Sequence, residues 1–441
     1  MNARVRRFAT ALALPAALVL AMPQASRADS AMEEVLSILK KEGIIDQGQQ
    51  DRLMAKYQDE QKKSEDKVSG LLDGMQWYGD LRLRYETFWF DDDATGNESD
   101  NRYRFRYRAR FGFKRNVGDR IQVGVRLATT GLNDSQKLDA DPRSTNVTLG
   151  GNRDFAPDGI LFDQAWVALT LQESGDLRTT LVGGKVSNPY TWKNGKDFLV
   201  FDGDLNMEGA YLTSSYEPSE DTTVFGTFGT FVVKENSSNA DPKLFALQAG
   251  VETELGAAKV GFRASGYEWR SLDDGFLSNA FSQGNLPSAY DSRARMGDVF
   301  AYAKFGGGSW PVMLYGTAVR NFSADSAVLN GISVGKEDDA YGIGIEVGDS
   351  KKFVELGFGW FHVEANSVPG QIYDSDLFDG KTNREGIIFY ASRRLLSGTD
   401  FNLTYFDGKE IEDDGGASGP FNSSLADADR RRLQADVIVK F

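Results

Sequence analysis

From Trp77 to the last residue, the sequence alternates between apolar and polar residues with a period of two. This period is typical of β-strands, because successive side chains of a strand point to opposite faces. Sixteen segments follow the pattern, and short and long connections alternate through all fifteen junctions between them. The predicted strands are 77–90, 102–114, 120–130, 161–171, 177–186, 207–216, 222–233, 243–254, 258–269, 296–305, 311–322, 339–347, 352–364, 384–394, 400–408 and 429–441.

The alternation of connections narrows the fold class further. A soluble β-sandwich has no reason to collect its long loops at one end, whereas an outer-membrane barrel has short periplasmic turns, longer external loops and an even number of strands. The sequence therefore predicts an all-β fold, a 16-stranded antiparallel transmembrane β-barrel over residues 76–441. We expect it to lie in the outer membrane of a Gram-negative bacterium, in contact with lipid and lipopolysaccharide.

The last predicted strand carries a separate signal. Counting back from Phe441, the residues on the same face are Val439, Val437, Ala435 and Leu433, and all are apolar. A C-terminal Phe on a one-sided apolar strand resembles the signal by which outer-membrane barrels reach their assembly machinery. The sequence therefore predicts that the barrel-assembly machinery is a partner that recognises Phe441.

The N-terminus has the three parts of a secretory signal. A basic region with Arg4, Arg6 and Arg7 precedes an apolar run over residues 9–22, and a small-x-small cleavage site follows at residues 26–28. The apolar run is shorter than the about 20 residues that a membrane-spanning helix needs. We expect residues 1–28 to be a cleaved signal peptide; an N-terminal anchor is the alternative.

Residues 29–75 differ in composition from the barrel sequence. They lack proline, are rich in Glu, Lys, Gln and Leu, and place apolar residues at helical spacing. The pattern predicts two periplasmic helices over residues 31–42 and 46–69, with a break at Gly43. The segment is either a coiled coil or a solvated tether, since its apolar stripe is too thin to decide between them.

Composition excludes several functional classes. The net charge of -14 argues against a nucleic-acid partner, and the absence of cysteine excludes disulfides and thiolate metal sites. The single histidine, His362, shares its strand face with Phe358 and Trp360, so we expect it to point outward. The sequence therefore predicts no catalytic residue, no metal site and no cofactor, and we expect the chain not to be an enzyme.

The stretch from Asn101 to Arg115 gives the two faces of the predicted wall different chemistry. Every second residue from Arg102 to Arg110 is arginine, and the residues between them are Tyr, Phe, Tyr and Ala. An arginine facing lipid at the midplane costs ~2–4 kcal/mol, so the arginines must face the lumen. With the flanking strands, the predicted pore-lining residues are Arg82, Arg84, Arg102, Arg104, Arg106, Arg108, Arg110, Arg120 and Arg126.

Two interpretations of this arginine wall remain open. It either draws anions through the pore, as rings of arginine do, or is balanced by acidic groups on a loop that folds into the lumen. The best candidate for such a loop is 187–206, and the alternative is an ordinary external loop. The constriction-loop candidates within it are Lys193, Lys196, Asp197, Asp202 and Asp204.

Four motifs carry a resemblance to a known family. They are "STNVTLGG" (144–151), "FDQAWVAL" (162–169), "VGGKVSNPY" (182–190) and "FDGDLNMEGAYLTSSY" (201–216). They resemble the core of the family named putative porin, from Gram-negative bacteria. The resemblance implies a signal peptide, a short helical segment and an outer-membrane channel that forms a homotrimer; it supplies no defined substrate and no ligand residues.

The leading functional hypothesis is a porin, a passive diffusion channel for small hydrophilic solutes or ions with an arginine-lined lumen wall. One alternative is an anion- or substrate-selective channel. The other is a structural tether between the outer membrane and the cell wall, in which the helical segment binds peptidoglycan or a periplasmic partner.

Overall fold

A computed structural model describes residues 26–72, 74–92, 98–132, 138–139, 143–151, 157–191, 199–237, 240–272, 284–285, 293–308, 310–329, 332–411 and 428–441. The chain divides into two compact units, Met1–Gly74 and Met75–Phe441. Residues 1–25 of the predicted signal peptide lie outside the described residues, so the boundary at residue 28 stays a prediction.

The N-terminal unit contains two helices, α1 (Ser26–Lys41) and α2 (Gln47–Leu72), close to the predicted bounds. Gly43 ends α1 with a φ of 69°, which only glycine adopts at little cost, and Ile44 N–H donates to the Leu39 carbonyl at 2.9 Å. Asp46 caps α2, since its Oδ1 accepts from Gln49 N–H at 2.7 Å and the Gln49 side chain bonds back to Asp46 N–H at 2.9 Å. Among the helices of the described residues, none combines the length and hydrophobicity needed to cross a bilayer.

The second unit is a barrel of sixteen long antiparallel strands, as predicted. They are β1 (Met75–Asp92), β2 (Glu98–Val117), β3 (Ile121–Leu132), β4 (Gly159–Ser174), β5 (Leu177–Ser187), β6 (Asn206–Ser219), β7 (Thr222–Val232), β8 (Lys243–Leu255), β9 (Ala258–Arg270), β10 (Arg293–Phe305), β11 (Val312–Asn321), β12 (Asp339–Gly348), β13 (Glu355–Val363), β14 (Arg384–Leu396), β15 (Thr399–Glu410) and β16 (Ala428–Lys440). Among the described residues of the connections, four short strands occur, at Leu138–Asp139, Val147–Thr148, Ala327–Leu329 and Ile332–Val334.

Each long strand pairs with its neighbours in sequence, and β16 pairs with β1 to close the ring. The closing register places Leu83 opposite Val437 and Arg84 opposite Asp436. Phe441 completes the seam, because it exchanges two backbone hydrogen bonds with Gly79, at 2.9 and 3.1 Å. Closure satisfies the backbone groups of both edge strands, as a barrel in lipid requires.

The two faces of the wall differ in exposure. On β2, Tyr103, Phe105 and Phe111 are 71%, 54% and 48% exposed, whereas Arg108 and Arg110 are buried. His362 also lies on the outer face, where its ring stacks on Tyr341 at 4.9 Å between centroids. The aromatic residues of β2 therefore form part of the outer surface, and Arg108 and Arg110 lie on the opposite face of the strand.

The short connections lie at one end of the barrel and the long connections at the other. We call these the short-turn end and the long-loop end. The described residues of two long connections fold into the barrel: inner loop 1 (residues 188–191 and 199–205) and inner loop 2 (residues 364–383). The described residues of both loops pack on the inner faces of the strands from β5 to β15. Their buried apolar side chains are Tyr190, Leu199, Val200, Phe201, Ala365, Val368, Ile372, Tyr373, Leu377 and Phe378.

Candidate functional site

Strand pairing stacks the inward side chains of β16, β1 and β2 in layers. Arg84 lies opposite Arg106 and Asp436, and the next layer joins Glu86 to Arg104 and Gln434. We call the inward arginines of β1, β2, β3 and β16 the arginine face: Arg82, Arg84, Arg102, Arg104, Arg106, Arg108, Arg110, Arg126, Arg430 and Arg432.

Arg120 lies elsewhere. The alternation assigned it to β3, but it occupies the turn between β2 and β3, where its side chain is exposed. The strand begins one residue later, at Ile121. Arg102 is also exposed, at the long-loop end of the arginine face, and its guanidinium lies 6.0 Å from the Phe88 ring centroid.

Glu86 is the carboxylate at the centre of the arginine face. It is fully buried and forms ion pairs with Arg432 and Arg104, with Arg84 at 3.5 Å and with Arg106 at 3.8 Å. A buried charge requires such compensation, because removal from water costs several kcal/mol per ion. One carboxylate thus holds guanidinium groups from three neighbouring strands.

Asp204 of inner loop 1 faces the short-turn half of the arginine face. Its carboxylate lies 2.8 Å from Arg110, 3.1 Å from Arg108 and 4.0 Å from Arg82. Burial alone would raise the pKa of Asp204, but these guanidinium groups overcome that effect and hold the pKa well below its usual range. Of the constriction-loop candidates, Asp204 therefore contacts the arginine face directly.

Asp202 has a different role from Asp204. Its backbone N–H donates to the Ile372 carbonyl at 2.7 Å, and its Oδ2 accepts from Ser375 N–H at 2.8 Å. Burial, followed by the negative charges of Asp374 and Asp204, raises the pKa of Asp202 well above its usual range. Asp202 thus fastens inner loop 1 to inner loop 2. The other candidates, Lys193, Lys196 and Asp197, lie outside the described residues.

Inner loop 2 supplies the acids for the long-loop half of the arginine face. Asp376 pairs with Arg432 at 2.9 Å and with Arg84 at 3.0 Å, and Asp379 pairs with Arg430 at 2.6 Å and with Arg432 at 3.2 Å. Burial opposes ionisation of Asp376, yet Arg84 and Arg432 hold its pKa well below the usual value.

Sequence reasoning missed these partners of the arginine face. The same alternation places Arg430 and Arg432 on one face of β16, but only barrel closure brings that strand beside β1. The acids of inner loop 2 lie in the sequence "YDSDLFDG", residues 373–380. Nothing else in the sequence of this connection predicts that it folds into the barrel. The strands themselves add Asp80, Asp163 and Asp436, which pair with Arg108, Arg126 and Arg84 at 2.7, 2.5 and 2.7 Å.

Two cavities lie along the arginine face. The upper cavity, of about 290 Å³, opens beside Arg102 at the long-loop end, and the lower cavity, of about 340 Å³, extends past Asn402 toward the short-turn end. Asp376 lines both cavities and is the lining residue that they share among the described residues. Its bonds to Arg84, Arg432 and Gln434 therefore form the partition between them.

One acidic group elsewhere has the proximity of a metal site. Among the described residues, carboxylate oxygens of Asp338, Asp339 and Glu364 lie within 4.8 Å of one another. Arg320 pairs with Asp338 at 3.5 Å and with Asp339 at 3.2 Å, so a guanidinium already offsets this charge. We assign no metal to the group.

Comparison with known proteins gives one family and several similar folds. Residues 93–295 match the family described as "Putative porin". The structure of OprB from Pseudomonas putida has a TM-score of 0.52 and 12% sequence identity, covering 85% of this chain and 96% of that chain. OmpF of Salmonella typhi (TM-score 0.47, 12% identity, 83% and 97% coverage) and the outer membrane channel DcaP of Acinetobacter baumannii (0.44, 12%, 83% and 97%) are also similar. Curated protein sequences give no significant match.

The OprB likeness concerns the fold alone, and it agrees with the closed barrel described above. The matched segment contains most of the arginine face and inner loop 1, which are the elements that set the site. Residues 93–295 are therefore similar to the family described as "Putative porin", and the chain has the fold of an outer-membrane porin barrel.

Proposed function

We propose that this porin is a passive diffusion channel for small hydrophilic solutes, with a permeation path along the arginine face. The observation that carries the proposal is the pair of cavities separated by Asp376: the upper one lies beside Arg102, and the lower one continues from Arg84 past Asn402 toward the short-turn end. Charged side chains that keep water along a path provide the polar lining that hydrophilic solutes need.

The arginines of the arginine face are paired with acids, which favours a constriction with both signs of charge over a pore wall with unpaired positive charges. Acids of the wall and of both inner loops, Glu86, Asp204 and Asp376 among them, contact its guanidinium groups. Opposed rows of arginine and acid create a transverse field, which orients polar solutes without excluding one sign of ion.

Removing the carboxylate that separates the cavities tests this path. Asp376→Ala shortens the partition, so we expect a larger single-channel conductance of the purified protein in planar bilayers and a shift toward anion preference. The matched control is Asp176→Ala, in the exposed turn between β4 and β5, for which we expect no change. Equal conductance of Asp376→Ala and the unchanged protein would place the path elsewhere.

We further propose three features of the mature protein: removal of residues 1–28, assembly as a homotrimer, and insertion by the barrel-assembly machinery through Phe441. The exposed Phe441 side chain at the barrel seam supports the last. Native mass spectrometry of the membrane-extracted protein tests the first two, since it reports both the start of the chain and the number of subunits. We propose no catalytic role.

A further inference from the structure

The described residues that line the upper cavity carry an excess of positive charge. Among the described residues, its lining carboxylates are those of Asp376 and Asp379, and its volume is about 290 Å³. Six guanidinium groups face them, those of Arg102, Arg104, Arg106, Arg143, Arg430 and Arg432. At ~30 Å³ per water, the cavity has room for about ten water molecules, which suits a small organic or inorganic ion.

These arginines come from separate elements and converge on one volume. Arg104 and Arg106 project from β2, Arg432 projects from β16, and Arg143 is fixed by a 2.8 Å bond to the Gly370 carbonyl of inner loop 2. The N–H groups of a guanidinium match the arrangement of the oxygen atoms in a carboxylate or phosphate. Several guanidinium groups around one cavity therefore suit such an oxyanion.

Two buried N–H groups at the cavity have no acceptor. Within the part of the chain that the structure describes, the Nε atoms of Arg106 and Arg432 lack a hydrogen-bond partner. The rest of each guanidinium is engaged, by Ser144 and Glu86 for Arg106 and by Glu86, Asp376 and Asp379 for Arg432. A buried donor without an acceptor is costly, so the positive charge of these two arginines is incompletely compensated by the surrounding acids.

We propose that the upper cavity is a binding site for a small oxyanion with two negative charges. The inference rests on the proposed channel function, because the solute must enter from the long-loop end. The carboxylates of Asp376 and Asp379 already form ion pairs with the guanidinium of Arg432, so the solute competes with them for that guanidinium. Displacing Asp376 would also open the partition between the cavities.

Calorimetric titration of the purified, detergent-solubilised protein at pH 8 tests the site, with inorganic phosphate, succinate, acetate and glycerol as probes. We expect phosphate or succinate to bind, acetate to bind at least about tenfold more weakly, and glycerol not to bind. Binding of one dianion alone would identify the oxyanion class within the proposal. Failure of both dianions, or acetate binding as tightly as they do, would overturn it.

Variants locate the binding in the upper cavity. Arg104→Gln with Arg106→Gln should weaken dianion binding by about tenfold or more, and the exposed Arg102→Gln should weaken it severalfold with less effect on folding. Asp379→Asn removes an internal competitor and should tighten binding. The matched control is Arg178→Gln, a 61% exposed residue near the short-turn end, which should leave the Kd unchanged. An unchanged Kd in Arg102→Gln and in the double variant would refute the site.

Planar-bilayer conductance of the same preparations separates this inference from the proposed function. A conducting protein that binds no dianion would overturn the site and leave the channel proposal standing. A protein that binds dianions but does not conduct would overturn the channel proposal and leave the site.

Discussion

Glu86→Gln is the substitution expected to disturb the barrel interior most. The residue is 0% exposed, and its carboxylate contacts the guanidinium groups of Arg84, Arg104, Arg106 and Arg432. Glutamine keeps the shape but leaves these charges without their central counter-ion. Breaking a buried ion pair costs about 3–5 kcal/mol, and we expect the free energy of unfolding to fall by about that amount.

Urea unfolding of the protein refolded into lipid vesicles, followed by tryptophan fluorescence, measures this change. Glu173→Gln is the control, since Glu173 is 63% exposed and pairs with Arg178 at 4.0 Å near the short-turn end. An exposed pair contributes about 0–1 kcal/mol, so the control should unfold almost as the unchanged protein does. A loss of less than about 1 kcal/mol in Glu86→Gln would refute the view that this carboxylate holds the arginine face together.

Two further predictions concern inner loop 2. Burial, followed by the charge of Asp376, raises the pKa of Asp374 from 3.8 to about 6, so the folded state holds this proton more tightly than the unfolded chain. Stability from this group is complete below pH 3.8 and is lost as the pH rises through about 6; thermal unfolding should show that loss in the unchanged protein and a weaker one in Asp374→Asn. On β15, a Cβ at Gly408 would clash with the Phe378 ring, so Gly408→Ala should loosen the loop and raise single-channel conductance; unaltered conductance would contradict this.

Strand number, register and the orientation of β2 follow from the sequence because a period of two assigns each side chain to a face. The cost of an arginine in lipid then decides which face is inner. The alternation does not mark where a strand begins, and Arg120, predicted as the first residue of β3, therefore falls in a turn.

The partners of the arginine face required the structure. Pairing of β16 with β1 brings Arg432 to Glu86, although the two residues are 346 positions apart. Inner loop 2 lies inside the barrel because its apolar side chains, such as Tyr373 and Leu377, are buried in one cluster with apolar side chains of the strands. A connection has no hydrophobic periodicity that would predict such packing, so the position of Asp376 could not be predicted from the sequence alone.

The reversal potential across a planar bilayer in a salt gradient tests most directly whether solutes pass along the arginine face. The unchanged protein is compared with a variant in which Arg104, Arg106 and Arg108 are all serine, and with Arg178→Ser as the control. Because the variant leaves Glu86 and Asp376 in excess, its reversal potential should shift toward cation preference, and the control should not shift. An identical reversal potential in all three proteins would contradict a permeation path along the arginine face.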